Sequence, residues 1–97
     1  MKQAVKITTE EGQLIVNFKL LESVLDEIIT ITDRAPDSDY CDVMFRDGSY
    51  LAVECLFEQA EDSLLTLQRI RQDNVPFFVA DIFTEALVRK AFEEEDQ

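Results

Sequence analysis

The stretch Tyr40-Cys41-Asp42-Val43-Met44-Phe45-Arg46-Asp47-Gly48-Ser49-Tyr50-Leu51-Ala52-Val53-Glu54-Cys55 holds two period-two runs about a turn. Cys41, Val43 and Phe45 alternate with Asp42, Met44 and Arg46; Leu51, Val53, Cys55 and Phe57 alternate with Tyr50, Ala52 and Glu54. Such alternation marks half-buried strands, and a glycine-bearing loop between them predicts a β-hairpin. Loop length decides the register. A two-residue Asp-Gly turn pairs Phe45 with Tyr50 and Cys41 with Glu54, which splits the apolar residues over both faces. A three-residue loop, Arg46-Asp47-Gly48 with Gly48 left-handed in a bulge, pairs Val43 with Leu51 and Cys41 with Val53 and gathers them on one face. The second register is expected.

Upstream, Val5, Ile7 and Thr9, then Leu14, Val16 and Phe18, form two more period-two runs around Glu10-Glu11-Gly12-Gln13. A four-residue loop there pairs Val5 with Phe18 and Ile7 with Val16, a second hairpin. Leu21, Val24, Leu25, Ile28 and Ile31 follow helical spacing and predict a helix over 20–32, although its last turn is β-branched. A loop through Ala35-Pro36 to Asp39 follows. Downstream, Ala60, Leu64, Leu67 and Ile70 predict a helix over 58–73, interrupted by Asn74-Val75-Pro76. Phe77-Phe78-Val79 fits a short edge strand or the start of the last helix equally well. Asp81 is a candidate N-cap for that helix, which runs through Ala86, Leu87 and Ala91 and frays in the acidic tail 93–97. The expectation is one α+β domain over 1–97: an antiparallel sheet of about four strands, from two hairpins, with two to three helices mainly on one face.

Composition excludes several function classes. Apolar residues make up 46% of the 97, with only two Gly and two Pro, which is a packed globule and not a disordered chain. The lysines near the start precede no long apolar run, and no stretch approaches the roughly 20 apolar residues of a membrane span, so a cytoplasmic location in a bacterial or phage-infected cell is expected. The chain has no histidine, the commonest general base and transition-metal ligand. Asp37, Asp39 and Asp42 suggest a calcium loop, but the fifth, sixth and twelfth positions hold Cys41, Asp42 and Gly48, which do not match. Cys41 and Cys55 fall on neighbouring strands of the same sheet face, two residues out of opposition, and read as core thiols that stay free. Carboxylates alone, without a cleft or a nucleophile–base set, predict no enzyme, no metal and no cofactor.

Charge is the most informative feature. The net charge of −12 repels nucleic acid and anionic membranes and favours a cationic partner. It is concentrated in residues 22–62, where twelve acids meet only Arg34 and Arg46, while 1–21 and 63–92 each carry net +1. Glu22 and Asp26 lie one helical turn apart with no lysine between, an arrangement that costs roughly 0.2–0.5 kcal/mol. If helical throughout, Glu22, Asp26, Glu27 and Asp33 span about 16 Å, one charge per ~4 Å, close to the ~3.4 Å per charge of a DNA strand.

The expected partner-binding acids are Glu22, Asp26, Glu27, Asp33, Asp37, Asp39, Asp42, Glu54, Glu58, Glu61 and Asp62, and the expected partner is a basic protein or nucleoprotein complex whose nucleic-acid site they would fill. Phage-encoded inhibitors of bacterial defence complexes, anti-CRISPR proteins among them, share this size and acidity, a likeness of class that no residue string carries. An immunity protein or antitoxin against a cationic nuclease toxin needs the same physics. A different class is an accessory or scaffolding subunit, acidic only for solubility, that binds through Tyr40, Met44 and Tyr50 on the outer sheet face, edged by Asp42, Glu54 and Arg46.

Overall fold

The computed structural model describes residues 3–36 and 38–95. Nine elements follow one another: β1 (Ala4–Thr9), β2 (Gly12–Asn17), α1 (Phe18–Glu27), β3 (Ile28–Asp33), β4 (Cys41–Phe45), β5 (Tyr50–Val53), α2 (Phe57–Gln72), β6 (Phe77–Val79) and α3 (Ile82–Glu95). The class is α+β. The described strands number six in two three-stranded sheets, ordered β2-β1-β6 and β3-β4-β5, instead of about four in one. Each hairpin acquired a third strand, and the two hairpins never meet edge to edge.

The second hairpin has the three-residue register. Val43 opposes Leu51 and Cys41 opposes Val53, and Gly48 takes a φ of +87°. The Phe45 amide bonds the Ser49 carbonyl and the Gly48 amide bonds the Phe45 carbonyl, both at 3.0 Å, which closes the loop.

The first hairpin is tighter than its pattern suggests. Val5 opposes Val16, Ile7 opposes Leu14 and Thr9 opposes Gly12, a shift of two residues from the expected pairing. A shift of two leaves every side chain on its original face, so the apolar pattern cannot distinguish the two registers. Gly12, with a φ of +136°, lets Glu10 and Glu11 form the turn, and Phe18 is released from the strand to begin α1.

The expected helix over 20–32 stops at Glu27. Ile28 is already extended, at φ −75° and ψ 125°, and Ile28–Asp33 forms β3 against β4. The five residues Ile28-Ile29-Thr30-Ile31-Thr32 are all β-branched, which disfavours a helix and suits a pleated surface. The Arg46 amide bonds the Glu27 carbonyl at 2.9 Å and its Nε bonds the Asp26 carbonyl at 3.1 Å, so the hairpin tip caps the end of α1.

α2 ends at a left-handed Asn74, φ 53°, where the Asn74 amide reaches the Arg71 carbonyl and the Val75 amide the Ile70 carbonyl. This paired cap satisfies the last carbonyls of the helix. Gln3 Nε2 bonds the Ile70 and Val75 carbonyls, both at 2.9 Å, and ties the start of β1 to this corner. β6 can then run parallel to β1, Val5 opposite Phe78, so Phe77–Val79 is a strand. Asp81 Oδ1 accepts the Thr84 amide at 2.8 Å and starts α3 as the expected N-cap. α3 continues to Glu95.

One core joins both sheets. Val5, Ile7 and Val16 from the first and Val43, Phe45 and Val53 from the second meet Leu21, Val24, Leu67, Phe83, Leu87 and Val88 from the helices. Phe78 reaches the Phe18 ring edge-on, with centroids 5.8 Å apart, and fastens β6 to α1. The outer face of each sheet is left without a helix.

Candidate functional site

The acids do not form the even row that a helix over 20–32 would give. Five residues of α1 put Glu27 about 7.5 Å beyond Glu22, and the extended β3 carries Asp33 roughly 20 Å further. The spacing that matched a DNA strand is lost with the last turns of the helix. Asp37 lies outside the described residues.

Two of the predicted acids are already used inside the molecule. Asp26 accepts a bidentate pair from Arg71, Nη1 at 2.9 Å and Nη2 at 3.1 Å, and Asp42 accepts Arg34 Nη2 at 3.0 Å. Hydrogen bonding from Arg71 holds the Asp26 carboxyl below the usual carboxylate range, against a smaller opposing effect of desolvation. Arg71 belongs to the charge-balanced last third of the chain, so the sequence gives no sign that it returns to α1. Asp47 is also lowered, by the hydroxyl and then the amide of Ser49.

Glu27, Asp33, Asp39, Glu54, Glu58, Glu61 and Asp62 are exposed and Glu22 is half-buried. The structure brings one of them, Asp62, beside two acids outside the predicted set, Asp81 and Glu85. A cleft of about 490 Å³ opens between the first half of α2 and the start of α3, with Asp62, Asp81 and Glu85 on its rim. Buried Cys55 and Phe83 and exposed Ile82 supply its apolar lining. Glu58, one turn before Asp62, extends the acidic rim along α2. Asp81 and Glu85 are absent from the predicted set because they fall in a segment of net charge +1, and Asp81 is legible there only as a cap. Ser63 donates its hydroxyl to Asp81, which therefore holds both the cleft wall and the α3 amide. Among the described residues no group of three or more Cys, Asp or Glu converges closely enough to hold a metal ion.

The outer face of the second sheet gathers the predicted apolar residues. Met44 and Tyr50 are direct cross-strand partners, and Asp42 opposes Ala52 beside them. Tyr50 is 62% exposed. The Arg34 guanidinium lies 5.4 Å from the centroid of the Tyr40 ring while bonding Asp42, so it stacks and pairs at once. Arg34, and not Arg46, is thus the cation of this patch, because Arg46 turns away to cap α1.

The two thiols touch. Cys41 Sγ and Cys55 Sγ lie 3.7 Å apart, both buried and free, closer than a two-residue offset on flat strands suggests. The chain bends after Val53, where the Cys55 amide bonds the Val53 carbonyl at 2.9 Å. Burial, helped by Cys55 and nearby acids, pushes the Cys41 thiol up to about 12, and burial also raises Cys55. Neither is a ready nucleophile.

No helix among the described residues is long and apolar enough to cross a membrane. Comparison of the chain with protein-family models, with curated proteins and with solved structures finds no match in any of the three.

Proposed function

We propose that this chain is a binding protein, not an enzyme, that inhibits a basic nucleic-acid-handling partner by presenting carboxylates where the partner expects phosphates, as phage anti-defence inhibitors of the anti-CRISPR type do. The observation that carries the reading is the acid-only surface around the start of α2. Residues 47–68 contain no lysine or arginine, and within them Glu54, Glu58, Glu61 and Asp62 are all exposed. Along the helix axis Glu58, Glu61 and Asp62 recur at intervals of about 4.5 and 1.5 Å, the same order as the ~3.4 Å per phosphate of one strand. The cleft adds Asp81 and Glu85 to the same side. Arg34, Arg46 and Arg71 are occupied elsewhere, on Asp42, at the end of α1 and on Asp26, and do not cover this surface. The partner is a protein, with no direct contact to nucleic acid or membrane.

An immunity protein or antitoxin against a nuclease would use the same surface. The scaffolding reading is favoured by one different observation, the exposed Met44–Tyr50 pair with Arg34 stacked on Tyr40.

The test is capture from a bacterial lysate at about 0.05 M salt, repeated at about 0.2 M, followed by competition with duplex DNA on whatever nucleic-acid-binding protein is retained. The reading expects competition and steep salt dependence, with Glu58→Lys and Asp62→Lys abolishing capture and Glu93→Lys having little effect. Equal losses from both regions reduce the reading to bulk charge. Loss only from Tyr50→Ala or Met44→Ala, with the acids dispensable, replaces it with the scaffolding reading.

A further inference from the structure

The two sheets leave four edges, and they are not alike. β6 and β5 are three and four residues long, short enough to protect themselves. β2 and β3 are six residues each, and each is hydrogen-bonded to a neighbour on one side only. β3 is guarded. A bulge at Ile29 interrupts its ladder, and acids stand at both ends, Glu27 and Asp33. If β3 paired antiparallel with itself about Thr30, Glu27 of one copy would face Asp33 of the other, a like-charge opposition repeated twice.

β2 has none of these guards. Gly12-Gln13-Leu14-Ile15-Val16-Asn17 contains no charge and no proline, and its pairing with β1 is unbroken. It exposes large apolar side chains on both faces, Leu14 at 42% and Ile15 at 63%. Ile15 also heads an exposed row across the outer face, with Lys6 opposite it on β1 and Val79, 63% exposed, opposite Lys6 on β6.

We propose that β2 is a self-association edge, and that its occupant is the β2 strand of a second copy of this chain, paired antiparallel about Ile15. The charges flanking the strand select that occupant. With Ile15 opposite Ile15, Gln13 faces Asn17 of the other copy, and Glu11 at the hairpin tip comes to the end of the paired strand where Lys19 begins α1, twice by symmetry. An even register of this kind keeps the faces of both copies aligned, so the first sheets fuse into one of six strands, β6-β1-β2-β2-β1-β6. The edge strand also lies outside the strongly acidic part of the chain, in a segment that can meet its own copy with little repulsion. Residues 1–21 carry net +1, while residues 22–62, with net −10, belong to α1, the second sheet and α2. Pairing through β2 therefore leaves the acidic surface free and presents it twice. The proposal does not depend on what that surface binds.

Sedimentation equilibrium of the whole chain tests it. The wild type is expected to dimerise reversibly in the micromolar range, as a small strand-addition interface would. Ile15→Lys, at an exposed position, should give a monomer with an unchanged melting temperature and circular dichroism. Glu11→Lys and Lys19→Glu should each weaken the dimer roughly fivefold by opposing like charges twice, and the double variant should recover wild-type affinity. A wild type that stays monomeric at about 100 µM overturns the proposal. So does a dimer indifferent to Ile15→Lys, or one dispersed by Ile29→Lys on the other long edge, or a double charge variant no tighter than the singles.

Discussion

Arg71, in the last turn of α2, grips Asp26, in the last turn of α1, with both terminal nitrogens of its guanidinium, at 2.9 and 3.1 Å. The contact crosses 45 residues of chain and takes one of the acids most naturally assigned to a partner out of that role. Arg71 Nη groups sit at the helix C-terminus, where a cation is favoured, and Asp26 lets that charge be shared between two helices. Reversing Asp26 therefore tests the fold and not the partner surface.

The pH dependence follows from the direction of the shift. Asp26 is lowered from 3.8 in the folded protein, so the unfolded chain takes up this proton first. Its contribution is present in full above the unfolded value and is lost as pH falls through the lowered folded value. Asp26→Asn should melt earlier than the wild type by a constant margin from about pH 7 to about pH 5, and the gap should close below 3.8. Both carboxyl and guanidinium are solvent-facing, so the margin is small. A gap that persists to low pH would mean that the asparagine disturbs packing instead.

The thiols should be countable only after unfolding. Cys41 is fully buried, Cys55 is 7% exposed, and the Cys41 thiol titrates near 12. A disulfide-exchange reagent at about pH 8 should react negligibly with the native protein and release two thiols in denaturant. Two fast native thiols would refute the burial, and none in freshly purified denatured protein would show that the 3.7 Å contact has been oxidised to a bond.

Gly48 should resist substitution for a purely backbone reason. An added Cβ meets no atom within 4 Å, yet the φ of +87° is one that L side chains rarely adopt. Gly48→Ala should cost about 1 kcal/mol in urea denaturation, with no change in slope. A neutral result would place the loop in another conformation and reopen the two-residue register.

Moderate salt should stabilise the chain. A net charge of −12 repels itself, and the screening length falls from about 30 Å at 0.01 M to about 10 Å at 0.1 M ionic strength. Melting should shift upward over that range in NaCl, at a protein concentration held low enough to keep the chain monomeric. A flat response would mean that Glu54 and the exposed acids of α2 are already dispersed well enough not to interact.

What the sequence determined by itself is local. The β4–β5 register was legible because period-two alternation and one glycine at the turn specify it jointly, and the other register splits Cys41, Val43 and Phe45 from their partners. The α2 and α3 faces and the Asp81 cap were legible for the same reason: each is set by residues three or four positions apart. Three features needed the folded chain. Ile28 and Ile31 continue the helical spacing of Leu21 and Val24, and only the ladder offered by β4 lets the β-branched preference of 28–32 prevail. Phe77–Val79 becomes a strand because Gln3 and the Asn74 cap bring it beside β1, more than seventy residues away. The acidic cleft joins Asp62 to Asp81 and Glu85, and the Arg71 pair occupies Asp26 while leaving it exposed. Charge along a chain can be counted from its sequence, but which charges meet depends on contacts between distant segments, and those are decided by how the core packs.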